Sequence, residues 1–299
     1  MTGPRLDEPH RKLIDEYIGQ RRAKADAHLV GTFGMAVGRA QGSWVYDVAD
    51  RPFLDFGPGG AVNLLGHRND TIGYLIQEHT YHYLYPGEGF LQRFPAEYAE
   101  ALARHLPEGF KVLVLTSLAE ARAVAAGLGG PIVDETATGF GRTGRMWGNE
   151  HGPGDVVLLG PSGGGGLPFA AVAAHSDRWH TVAVPPMANH PLVCGAALAV
   201  LRGITDELLE QVRTTAAALT KGLNELAAQF SFLGPPRGIG LLQFLQLKDK
   251  ERAQAFRDSC RDSGLLIHPD LALTPPLTVT EREVNHAVDI LADVCLDWG

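Results

Sequence analysis

Between Lys111 and His175 the chain places four short apolar runs in quick succession: "KVLVLT" (111–116), "GPIVDE" (130–135), "DVVLLG" (155–160) and "PFAAVAAH" (168–175). Each is too short for a buried helix, and near-continuous apolarity marks a strand covered on both faces. "LAEARAVAAGL" (118–128), between the first two, has helical spacing. Strands and helices in alternation predict an α/β fold with a mostly parallel central sheet, because the helices needed to cross between parallel strands also cover its faces. An all-helical bundle and an all-β sandwich are excluded.

The flanks extend this frame. Residues 7–28, charged with sparse apolar positions, read as an N-terminal helical arm. "GSWVYDVADRPFLDF" (42–56) alternates around a turn at Asp47–Arg51 and reads as a hairpin. "PAEYAEALARHL" (95–106), "LVCGAALAVLRGI" (192–204) and residues 206–230 read as helices, and "GIGLLQFLQL" (238–247) and "GLLIHP" (264–269) as strands around the helix "KERAQAFRDSCRDS". The last helix starts at a Thr-x-x-Glu capping box in "TVTEREV". The expected organisation is an arm and hairpin over 1–55 belonging to a small domain, a large α/β domain over 56–200, and a C-terminal α+β domain over 201–299.

Charge and cysteine usage narrow the function classes. The net charge of −8 and the lack of a basic stripe argue against nucleic acid as a partner. The polar start has no leader pattern, and no apolar run reaches spanning length, so no membrane partner is expected. Cys194, Cys260 and Cys295 are scattered and odd in number, which predicts reduced thiols, a cytoplasmic setting and no metal site.

"IVDETATGFGRTGRMWGNEHGPGDVVLLG", followed by "GGGLPFAAV", resembles the class III aminotransferases of the pyridoxal-phosphate fold type I group, such as glutamate-semialdehyde aminomutases and ornithine or GABA transaminases. "GSWVYDVADRPFLDF" with "GHRN", "SLAEA" (117–121), "NHPLVCGAALAVL", "RGIGLL" and "TPPLTVTEREVNHAVDIL" resemble other parts of that family in the same order. The resemblance implies a fold type I architecture and a homodimer whose active sites are built from two subunits.

It also exposes departures. The family's Schiff-base lysine falls on Pro161, the phosphate-loop glycine on Leu118, a glutamine near the cofactor's phenolic oxygen on Ala137, and the partner-subunit threonine on Pro186. The block holding the ring-stacking aromatic residue is absent, since only "VAAGLGG" joins the "SLAEA" helix to "PIVDE". A lost lysine removes the covalent chemistry. The expectation drawn from this is a degenerate, shortened relative that binds no pyridoxal phosphate and has no other cofactor.

The leading expectation is a cofactor-independent enzyme that uses acid–base chemistry (cyclisation, condensation, dehydration or isomerisation) on a small amine, amino acid or carbonyl compound. Asp134, at the place that pairs with the pyridine nitrogen in the family, is the expected general acid or base, with Glu135 and His190 as further catalytic candidates. Arg142, His67 and Glu88 are expected on the same cleft as substrate-binding residues, and Gly164 and Gly165, within the run Gly163–Gly166, as an anion or substrate site built from main-chain amides. Each has a structural alternative: Asp134 as a turn cap, Glu135 as a hydrogen-bond partner, Arg142 as a loop brace, His67 and His190 as core histidines, the glycines as an inherited turn. An inactive partner or scaffold is the second expectation, and a pyridoxal-phosphate-dependent aminotransferase the third.

Overall fold

The computed structural model describes residues 8–30, 35–149 and 154–298. In chain order its elements are helix α1 (Glu8–His28), strands β1 (Val37–Gln41), β2 (Trp44–Asp47) and β3 (Pro52–Phe56), helices α2 (Pro58–Val62), α3 (Asp70–His82) and α4 (Arg93–Ala103), β4 (Phe110–Leu115), α5 (Leu118–Leu128), β5 (Ile132–Glu135), β6 (Val156–Leu159), β7 (Ala170–His175), α6 (Pro191–Gly203), α7 (Asp206–Gln229), β8 (Leu233–Ile239), β9 (Leu242–Leu247), α8 (Ala253–Asp262), β10 (Leu265–Ile267), β11 (Ala272–Leu273) and α9 (Glu281–Trp298). The fold is α/β with mixed sheets.

The sheet that carries the crevice runs β4-β7-β6-β5. β5 and β6 are parallel, and β7 runs against both β6 and β4. β4, β5 and β6 therefore point the same way, with their carboxyl ends on one rim. β6 and the first five residues of β7 are buried throughout, as their unbroken apolar sequence requires. α5 covers one face through Ala121, Val124, Ala125 and Leu128, packed on Leu113, Leu115, Val156, Leu158 and Val172. On the other face lies the larger core, centred on α6. α6 is apolar nearly all round and buried over most of its length, which suits a helix inside the molecule. Pro191 opens it, where a missing N–H costs nothing.

Two further sheets complete the molecule. The hairpin β2–β3 is flanked by β1 on one side and, on the other, by β10 from the C-terminal half, in the order β1-β2-β3-β10. β3 and β10 are parallel, so this sheet joins the two ends of the chain. The third sheet is β11-β9-β8. The stretch 238–247, read above as one strand, turns back at Gly240, which has φ +60° and whose backbone lies against Arg142 and Thr143. α7 and α9 pack these sheets through Val212, Leu219, Leu223, Val284, Leu291 and Val294, all buried. Cys194 on α6, Cys260 on α8 and Cys295 on α9 are free and buried, and burial pushes the thiols of Cys194 and Cys260 up to about 12.

Candidate functional site

In open α/β sheets, ligands bind in the crevice beyond the carboxyl ends of the strands. Here that rim is formed by Ser117 after β4, Thr136 after β5 and the 3-10 turn Pro161–Gly164 after β6. Ser117 caps α5, its hydroxyl accepting the Glu120 N–H at 3.4 Å. The turn after β6 passes so close to the Thr136 backbone that a Cβ on Gly160 would sit 2.3 Å from the Thr136 oxygen. Gly163 and Gly164 fit against Phe140 and Phe169 with equally little room. The glycine run is therefore a packed crossing. Gly164 is buried on Phe169, and Gly165, at φ +59°, lies against Ile72 and Val200, so neither forms the open main-chain anion site anticipated from the sequence.

The other candidate residues fall into three places rather than one cleft. Asp134 is exposed on β5, and its Oδ1 accepts the Thr136 N–H at 2.9 Å. It is exposed, not the buried carboxyl anticipated from the sequence. Glu135, 1% exposed, accepts Thr138 Oγ1 at 2.6 Å and the N–H groups of Gly148 and Asn149 at 2.9 and 2.7 Å. Its carboxylate braces the loop after β5.

The second place is a buried polar network. The Arg142 guanidinium donates to the carbonyls of Pro275, Gly60 and Ala61. Burial lowers its pKa to about 10. His67 Nε2 meets Asp55 Oδ2 at 2.8 Å, and Asp55 Oδ1 takes the Gly57 N–H. His268 Nε2 shares a hydrogen bond with Thr274 Oγ1 at 2.7 Å, and the Thr274 hydroxyl also reaches the Gly57 carbonyl. Burial lowers the His268 pKa, with Arg142 acting in the same direction against Asp270 and Asp55. Asp55, His268 and Thr274 are absent from the sequence-based candidates. Asp55 lies more than 200 residues from His268 and Thr274, and the pairing of β3 with β10 brings it beside them.

The third place is a groove between residues 85–92 and 184–189, lined among others by Tyr85, Glu88, Phe90, Gln92 and Asn189. Glu88 is exposed there. His190 stacks on Tyr85, with ring centroids 5.2 Å apart and planes 12° from parallel. Its Nδ1 is buried without a hydrogen-bond partner, and burial, then His79, lowers its pKa. Asn189 ties the segment to β4, exchanging hydrogen bonds with Val114 through its main-chain N–H and its side-chain oxygen. No cluster of metal-ligating side chains occurs among the described residues, and none of their helices is long and apolar enough to cross a membrane.

Residues 131–295, from the start of β5 to near the end of α9, match the family model "Aminotransferase class-III". The chain belongs to that family. An acetylornithine aminotransferase of Caldanaerobacter subterraneus subsp. tengcongensis is 36% identical over 176 residues, 54% of this chain and 44% of that protein. One from Gloeobacter violaceus is 35% identical over 179 residues, 54% and 43% of the two chains. This chain thus spans less than half the length of these curated relatives. Among solved structures, the ornithine aminotransferase of Toxoplasma gondii, with PLP at partial occupancy in its active site, superposes with a TM-score of 0.86 at 18% identity, covering 99% of this chain and 98% of that one. The acetylornithine aminotransferase of Elizabethkingia anophelis gives 0.83 at 20%, covering 94% and 99%. At such identities the structures establish fold type I alone.

These relatives overturn the expectation of a cofactor-independent acid–base enzyme, and with it the expectation of no cofactor: the matched proteins are aminotransferases, and PLP is the group they point to. The expectation weighed single contacts at turns, whereas the likeness extends through the strands and helices that frame the site. The residues of this chain fit PLP only in part. α5 presents its N-terminus at the rim, but its first residue is Leu118. No lysine lies there. Lys111 is at the far end of β4, Lys12 and Lys24 are on α1, Lys221 is on α7, and Lys248 and Lys250 follow β9.

Proposed function

We propose that this chain serves PLP-dependent amino-group transfer on amino donors of the acetylornithine and ornithine type. The observation that carries this reading is the class-III match over residues 131–295, which includes the whole rim after β5 and β6. In this reading the chain lacks the family's internal lysine, because Pro161 occupies that place, and the cofactor is held by non-covalent contacts alone. The rim contributes shape and a helix N-terminus, Glu135 keeps the loop after β5 in position, and Tyr85 with His190 forms a wall of the neighbouring groove. The working unit is a homodimer. Exposed Phe90, Leu91, Val184 and Met187 beside the groove support it, since apolar side chains gathered on a surface favour a covering partner.

The test has two arms. Purified chain supplied with PLP, N-acetylornithine and an α-keto acid is expected to form the corresponding amino acid, and absence of transfer together with absence of PLP binding sinks the reading. Borohydride added to the PLP-loaded protein is expected to leave the cofactor dialysable, and a stable adduct on a lysine peptide would overturn the non-covalent part.

A further inference from the structure

β5 ends the sheet on one side, and among the described residues no other strand pairs with its outer edge. Ile132 and Asp134 are exposed, with Ile132 at 42%, while Val133 is partly buried and Glu135 is buried. In a parallel ladder alternate residues turn their main-chain groups toward the same neighbour. Val156 donates its N–H to the Pro131 carbonyl, and the register Ile132↔Val156 continues to Glu135↔Leu159. The N–H and C=O groups of Val133 and Glu135 are thereby committed to β6, and those of Ile132 and Asp134 point outward. An outward row of donors and acceptors is a template for another strand.

We infer that the outer edge of β5 pairs with β5 of a second copy of this chain, antiparallel, about a twofold axis through Val133. The argument is self-complementarity. Outward groups at Ile132 and Asp134 are two residues apart, which is the repeat of an antiparallel hydrogen-bonded pair. With Val133 facing Val133 of the copy, Ile132 faces Asp134 of the copy, and Asp134 faces its Ile132. All outward main-chain groups of both strands then find partners. A charge on an edge strand ordinarily discourages pairing, but this register sets no carboxylate directly opposite another. The Asp134 carboxylate is already turned to the Thr136 N–H. The result is one continuous sheet of eight strands across two copies, with the two carboxyl-end rims related by the axis. This contact is separate from the groove at residues 85–92 and does not depend on PLP.

The test uses charge to read the register. Ile132→Asp places two carboxylates opposite each other twice per pair of chains, and Ile132→Lys places an ammonium opposite Asp134 at the same points. Ile132 is exposed enough for both variants to fold, which circular dichroism checks. In sedimentation, Ile132→Asp is expected to weaken association about tenfold or more, from two opposed like-charge pairs, while Ile132→Lys associates at least as well as the parent. Hydrogen exchange of the parent is expected to show protected amides at Ile132 and Asp134. Free exchange at both positions, or equal association of the Asp and Lys variants, overturns the inference. A parent dimer that Ile132→Asp leaves intact while Leu91→Asp dissociates it would also overturn it, and would leave the proposed homodimer standing.

Discussion

A guanidinium sealed from water with no carboxylate in contact is held by main-chain carbonyls alone, and Arg142 is such a group. It donates to carbonyls from residues 60, 61 and 275, so it fastens the segment after β3 to the segment after β11. Arg142→Leu would leave those acceptors buried without donors, at a cost of about 3 kcal/mol. Urea denaturation should show that loss. His190 governs a different property. Its folded pKa lies below the ordinary histidine value of about 6.5, so the unfolded chain binds the proton more readily. Stability is complete above that ordinary value and falls as the pH drops below it. Melting temperatures taken at pH 7 and pH 5 should diverge, and His190→Gln should narrow the gap. The sequence shows Arg142, His67 and Glu135 as polar residues in family-like motifs. Whether such a residue faces a cleft or a sealed network depends on partners far along the chain, as with Thr274 beside Gly57, and no local pattern records that.

Elements were more legible than residues. α5 spans 118–128 as its spacing predicts, and the hairpin turn falls at Asp47–Arg51 because the Asp47 carboxylate accepts the N–H groups of Ala49 and Arg51. α3 goes unread although its signals are local: Asn69 caps it through Thr71 and Ile72, and Ile72, Leu75, Ile76 and His79 follow at helical spacing. The antiparallel course of β7 could not be read, since a strand buried on both faces has the same apolar composition in either direction. The crossing of β5 and β6 supplies a further prediction. Gly160→Ala would force its Cβ onto the Thr136 carbonyl, with no flexible side chain to give way. Overpacking of this kind costs about 1–3 kcal/mol, and the loss should appear in equilibrium unfolding together with faster hydrogen exchange at Thr136.

At the scale of the whole molecule, surface apolarity is concentrated beside the groove. Leu91 is 96% exposed, with Phe90 and Val184 nearby. Leu91→Asp should remove the association made through the groove, seen as a smaller sedimenting species than the parent, while leaving the β5 contact and the melting of the single chain unchanged. A monomeric parent at micromolar concentration would contradict the homodimer. The cysteines have another consequence for the molecule as a whole. Reagents that attack thiols need the thiolate, and solvent must reach it. Cys194, Cys260 and Cys295 are shut away on three helices, α6, α8 and α9. Their alkylation is therefore gated by opening of the protein, and the order in which they are modified is a clock for which layer loosens first.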